Sequence, residues 1–138
     1  NHTGLLAIEL FLTEGDEILI NEVAPRPHNS GHHTIECCMT SQFEQHLRAV
    51  LNLDLGSTSI KIPGVMLNLV GEENYKGEVI YEKIEDVFNT KGASIHIYGK
   101  KQTKPNRKMG HITVVNKELN KAKKLANKIR ESIKVISK

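Results

Sequence analysis

Two prolines and a glycine lock the stretch Asn21-Glu22-Val23-Ala24-Pro25-Arg26-Pro27-His28-Asn29-Ser30-Gly31-His32, which constrains the chain more than any other run. Proline fixes φ and glycine frees it, so a loop built this way holds one shape. The run ends an apolar segment on a carboxylate, then crowds an arginine, two histidines, an asparagine and a serine together. Rigid polar loops at strand ends are where α/β proteins commonly place chemistry. The same prolines and glycine also make inert turns; the density of functional groups favours the chemical reading.

The segment before the loop predicts a β-hairpin. Leu5 to Thr13 is apolar and β-prone, broken only by Glu9, and Glu17 to Val23 is a second strand. Gly15-Asp16 fits a two-residue type II′ turn. In that register Glu14 faces Glu17 and Glu9 falls opposite Glu22. Like charges opposed on a sheet are destabilising, and the apolar neighbours Ala7, Phe11 and Ile20 add a desolvation cost. A divalent cation turns the repulsion into a ligand pair. Magnesium is typically held by one or two carboxylates plus substrate phosphates. A register shifted by one sends the carboxylates to opposite faces, and the hairpin alone leaves both readings open.

Within the loop, Arg26 offers a planar fork for a carboxylate or phosphate. Asn29 and Ser30 supply orienting hydrogen bonds, and His28 can donate, accept or shuttle a proton near neutral pH. The set suits a small oxyanion such as bicarbonate or a phosphorylated intermediate. The alternative is that Asn29 and Ser30 tie down their own backbone and His28 packs, a role that His32 and His33 fit better.

Downstream, Thr34 to Met39 is ambiguous. Ser41 to Asn52 reads as a helix, with a Ser41/Glu44 capping box and Phe43, Leu47, Val50 and Leu51 on one face. His46 lies off that stripe. Gly64 to Val70 reads as a strand, Val79 to Asn89 as a helix, Ala93 to Tyr98 and Met109 to Val115 as strands. Asn116 is placed to cap a last helix, with Leu119, Ala122, Ala126, Ile129, Ile133 and Ile136 on its apolar face. The pattern is α+β, divided at 1–55 and 56–138. Lys100, Arg107 and Lys108 flank a glycine-bearing loop and could converge on a phosphate; Lys101 and Lys104 beside them favour an ordinary solvated loop.

Other classes are disfavoured. No apolar run reaches membrane-span length and no secretory signal opens the chain. The net charge is only +3 and aromatics are 4% of the residues, which weakens a nucleic-acid reading based on stacking. There is no Walker or Rossmann phosphate loop, no nucleophile elbow and no cysteine–histidine zinc spacing. Adjacent Cys37 and Cys38 suit free thiols in a reducing, cytoplasmic setting. The chain opens without methionine, a few residues before a strand, which suggests a piece of a longer protein.

The motifs Asn21 to His32, Thr34-Ile35-Glu36, Thr40 to His46, His96-Ile97-Tyr98-Gly99-Lys100 and Arg107-Lys108-Met109-Gly110-His111 together resemble the 5-(carboxyamino)imidazole ribonucleotide synthase family, ATP-grasp enzymes of purine biosynthesis. A formate-dependent glycinamide ribonucleotide transformylase shares a Pro-Arg-Pro-His segment but typically continues Asp-Thr-Gly; Asn29-Ser30-Gly31-His32 favours the synthase. His33 and Cys37 stand where that family more often has tyrosine and alanine. The resemblance implies the C-terminal half of an ATP-grasp core followed by a small β-rich domain with a terminal helix. It implies conversion of ATP, bicarbonate and 5-aminoimidazole ribonucleotide through carboxyphosphate. Glu9 and Glu22 are implied as magnesium ligands, and Asn21 with Glu22 as the border of the nucleotide. Arg26, His28, Asn29 and Ser30 are implied to face bicarbonate and the aminoimidazole, and Lys100, Arg107 and Lys108 the ribonucleotide phosphate. The missing N-terminal part of the same enzyme and a homodimer are the implied partners. A non-catalytic binding or dimerisation module is the reading from another class.

Overall fold

The computed structural model describes residues 2–138. The chain forms two compact units, one ending at Lys61 and the other spanning Ile62–Lys138. Both mix helices with small antiparallel sheets.

In the first unit β1 (Ala7–Leu12) pairs antiparallel with β2 (Ile18–Ala24). The turn differs from the expected type II′. Thr13 N–H donates to the Glu17 carbonyl at 2.9 Å and Asp16 N–H to the Thr13 carbonyl at 3.1 Å, with Asp16 at φ +60°. The loop therefore holds Glu14, Gly15 and Asp16, a common hairpin geometry in which a left-handed residue closes a type I turn. Aspartate tolerates that conformation better than most residues. A three-residue loop shifts the pairing to Leu12↔Ile18, Phe11↔Leu19 and Leu10↔Ile20. A β-bulge then adds Asn21 to β2, and beyond it Glu9 faces Glu22. The expected partners meet, by a route that the sequence reading did not contain.

The chain continues through a 3₁₀ turn at Asn29–Gly31 into α1 (Thr34–Cys37) and α2 (Gln42–Val50). Ser41 caps α2, its Oγ accepting the Glu44 N–H at 3.2 Å. The Glu44 carboxylate turns instead to Arg48, at 2.9 Å from Nε, one turn along the helix. The stripe expected to be buried lies largely open, with Leu47 60% and Leu51 65% exposed.

The second unit contains β3 (Gly64–Val70), β4 (Gly77–Glu82), α3 (Glu85–Phe88), β5 (Ala93–Ile97), β6 (Gln102–Thr103), β7 (Lys108–Val115), α4 (Leu119–Ser132) and β8 (Lys134–Ser137). One sheet has the order β3-β7-β5 and the other β6-β4-β8. Two readings are corrected here. The chain leaves α4 at Ile133 (φ −77°, ψ 138°) and becomes β8, so Ile136 pairs with Ile80 rather than extending the helix. With that partner strand unseen, the apolar spacing of 79–89 resembled a helix; only α3 is helical there, and Val79–Glu82 belongs to a strand. The last helix is capped two residues later than expected: Glu118 is its N-cap, and Asn116 Oδ1 accepts the Glu118 N–H at 2.9 Å.

The core joins Leu69, Met109, Ile112 and Val114 of the β3–β7 pair to Ala126 and Ile129 of α4. Ala122 and Ala126 are fully buried, and their small side chains let the helix lie close to the sheet. At the entry to β5, Gly92 adopts φ +87°, and an added Cβ would stand 2.4 Å from the Val115 carbonyl oxygen. Strain and collision coincide there, so Gly92→Ala should cost about 2 kcal/mol or more. A lowered urea midpoint at unchanged m-value would register it.

Candidate functional site

The bulge determines what the hairpin presents. In a regular strand consecutive side chains alternate faces. At a bulge two residues oppose one on the partner strand, which re-aims a side chain. Asn21 and Glu22 accordingly both reach the neighbourhood of Glu9: Asn21 Nδ2 donates to Glu9 Oε2 at 3.2 Å, and ligand atoms of Glu9, Glu22 and His28 all lie within 4.8 Å of one another.

His28 is the buried member of this group, 8% exposed. Its Nε2 stands 2.6 Å from Glu22 Oε1, and its Nδ1 stands 2.9 Å from Ser30 Oγ and 3.3 Å from Glu9 Oε1. A carboxylate only accepts. In the neutral imidazole, Nε2–H therefore donates to Glu22 and Nδ1 accepts from the Ser30 hydroxyl. This gives a directed chain, Ser30 to His28 to Glu22, with Glu9 beside it.

Two carboxylates and an amide oxygen on a rigid hairpin suit a hard divalent cation, whose preferred ligands are oxygens. The imidazole then supports Glu22 by hydrogen bonding, the usual role of an outer partner at a metal site. The donor set thus fits magnesium at Glu9 and Glu22.

Arg26 is exposed, and its Nη1 donates to the Pro27 carbonyl at 3.1 Å, which engages one of the five donors of the guanidinium. Asn29 opens the 3₁₀ turn directly after His28. The other histidines fasten structure. His33 Nδ1 lies 2.9 Å from the Ser30 carbonyl, His32 stacks on Phe43 at 5.5 Å, and His46 Nδ1 accepts the Leu5 N–H at 3.0 Å. Cys37 is buried, and burial first, then the charges of Cys38 and Glu36 against the opposing pull of Lys61, raise its thiol above its ordinary range. It stays protonated at neutral pH and packs as a small apolar group.

Sequence reasoning missed two residues in this unit. One is Asn21 as the bulge residue, for which an asparagine inside an apolar strand was the available signal. The other is Gln42, which is buried and grips the loop from α2.

Lys100, Arg107 and Lys108 form a separate group in the second unit. Lys100 Nζ donates to the Lys108 carbonyl at 2.6 Å and lies 5.6 Å from the Tyr98 ring centroid, while Arg107 Nη1 donates to the Gln102 carbonyl at 3.0 Å. Tyr98 in turn pairs with His111 Nδ1 at 2.9 Å, and His111 stacks on His96 at 4.4 Å. Two of the three cations are thus held by backbone carbonyls of this loop. Among the described residues no helix is long and apolar enough to cross a membrane.

Comparison with known proteins gives concordant matches. Residues 64–125 match the phosphoribosylaminoimidazole carboxylase C-terminal domain, and residues 1–43 match the ATP-grasp domain. The chain is 55% identical over 113 residues to the N5-carboxyaminoimidazole ribonucleotide synthase of Bacillus subtilis, covering 82% of this chain and 28% of that protein. It resembles the crystal structure of N5-carboxyaminoimidazole ribonucleotide synthetase from Thermotoga maritima with a TM-score of 0.93 and 54% identity, over 99% of this chain and 38% of that one. It also resembles the N5-carboxyaminoimidazole synthase of Aspergillus clavatus in complex with ADP and 5-aminoimidazole ribonucleotide (TM-score 0.80, 39% identity, 93% of this chain and 34% of that one). The chain thus spans well under half the length of the relatives it matches.

Proposed function

The chain is homologous to the C-terminal portion of N5-carboxyaminoimidazole ribonucleotide synthases, which are ATP-grasp ligases, and on that premise we propose that its protein carboxylates 5-aminoimidazole ribonucleotide in purine biosynthesis. The reaction consumes ATP and bicarbonate, forms carboxyphosphate with ADP, and transfers the carboxyl group to the exocyclic amine with release of phosphate. The opposed Glu9–Glu22 pair with its buried histidine is the observation that carries this reading.

Glu9 and Glu22 would hold magnesium, which supplies charge neutralisation for the phosphates of ATP. Asn21 orients Glu9 and borders the nucleotide. His28, with its proton on Nε2 and Ser30 behind Nδ1, fixes the carboxylate of Glu22 in direction. Arg26 and Asn29 line the approach from the loop, where the guanidinium fork suits bicarbonate. Lys100, Arg107 and Lys108 hold the ribonucleotide phosphate, their loop being already anchored by its own carbonyls. Carboxyphosphate is labile in water, so fixed donors in a closed site favour transfer over hydrolysis.

The N-terminal part of the same enzyme completes the site. The open apolar side chains of the hairpin support this: Leu12, Ile18 and Ile20 are 70%, 67% and 71% exposed, and exposed apolar side chains grouped on one element mark a surface that another segment covers. A homodimer and a cytoplasmic location accord with that surface and with two free thiols. The full-length protein should release ADP only when bicarbonate and 5-aminoimidazole ribonucleotide are both present. Release that instead requires formate and glycinamide ribonucleotide would overturn the assignment in favour of the transformylase.

A further inference from the structure

The Gln42 side chain is 7% exposed and spends its whole amide on the loop. Its Oε1 accepts the His28 N–H at 2.9 Å, and its Nε2 donates to the His28 carbonyl at 2.8 Å and to His32 Nδ1 at 2.8 Å. Both backbone groups of the one buried site residue are therefore held by a single side chain. That side chain is itself anchored. Gln42 is the first residue of α2, next to the Ser41 cap, and its N–H donates to Thr34 Oγ1 at 2.9 Å, whose hydroxyl donates to the Gly31 carbonyl at 2.6 Å.

Gly31 completes the clamp by having no side chain. A Cβ there would stand 2.5 Å from Gln42 Oε1. Gly31 does not occupy a positive φ, so space and not backbone freedom requires the glycine. The amide is wedged between the 3₁₀ turn and the helix, and its register sets where the His28 ring points.

We infer that Gln42 is a positioning residue, which directs the His28 imidazole onto Glu22 and Glu9 by gripping the His28 backbone from the start of α2. The inference rests on the function proposed above for its catalytic meaning, but its geometry can be tested separately. The readouts are the ring-nitrogen spectrum of His28 and the Mn²⁺ affinity, measured by electron paramagnetic resonance on the full-length protein.

Gln42→Met keeps the length and helix preference of the side chain but none of its hydrogen bonds. It should abolish the downfield Nε2–H signal of the His28–Glu22 bond and weaken Mn²⁺ binding about 10-fold, the low end of the range for outer partners of a metal site. The melting transition of the second unit should not move. Gly31→Ala, which presses on the same amide from the other side, should produce the same spectral change. A wild-type His28 signal in folded Gln42→Met overturns the inference. If that variant does not fold, a wild-type His28 signal in Gly31→Ala overturns it instead. Wild-type chain that binds no Mn²⁺ counts against the metal-site reading, and the His28 signal then decides the role of Gln42 alone.

Discussion

Glu22→Gln in the full-length protein should lower ATP-dependent carboxylation at least about a hundredfold, on the scale seen when one preorganised charge-stabilising group is removed. The substitution keeps volume and shape, so the hairpin stays paired. What disappears is one of two opposed charges and the ionised acceptor of the His28 Nε2–H bond at 2.6 Å. An amide is a poor substitute for a carboxylate toward a hard cation. The same variant should melt close to the wild type, because relief of the opposed like charges offsets the weaker hydrogen bond left to His28. Activity lost at little change in stability is the signature of a group kept for function. Initial-rate ADP release, with Glu17→Gln as a control at the turn of the same hairpin, would test this. Equal rates for the two variants would remove Glu22 from the site.

Ile112→Ala should have the largest effect on stability, about 2–5 kcal/mol, the range for truncating a fully buried isoleucine. Ile112 is 0% exposed at the centre of β7, paired with Leu67 on one side and Ile95 on the other. It lines a cavity of about 160 Å³ together with Ile133 and Val135. Removal of its methylenes leaves a void that strands fixed on both sides cannot close. Ile97→Ala is the comparison: Ile97 is 42% exposed at the end of an edge strand, and its loss should cost under about 1 kcal/mol. Urea unfolding followed by a probe in the second unit would separate the two. A cost below 1 kcal/mol for Ile112→Ala would show that the sheet relaxes around it.

How far the sequence could be read depended on whether each signal was local. The Ser41 cap, β3 and β7 all emerged from neighbouring residues, and so did the approach of Glu9 to Glu22. The acidic pair was expected from a two-residue turn; in the structure a longer turn and an added residue shift the register once each, and the shifts cancel. Hairpin turn types share residue preferences, and Gly15-Asp16 serves both. Strand β4 was invisible because its partner β8 lies more than fifty residues away in the chain, inside what looked like the tail of a helix. The amphipathic stripe of α2 was seen, but pattern alone does not say what covers it. Gln42 was missed because a glutamine at a helix start carries no signal of its own; its meaning comes from the backbone of residue 28.

The extra residue in β2 also bears on tolerance to length change. Deleting Asn21 would straighten the strand to the register set at the turn, and Glu9 would still meet Glu22. A deletion at Phe11 would instead slide β1 past β2 and part the carboxylates. Shortening this hairpin is therefore survivable on β2, where the bulge can absorb the loss, and not on β1.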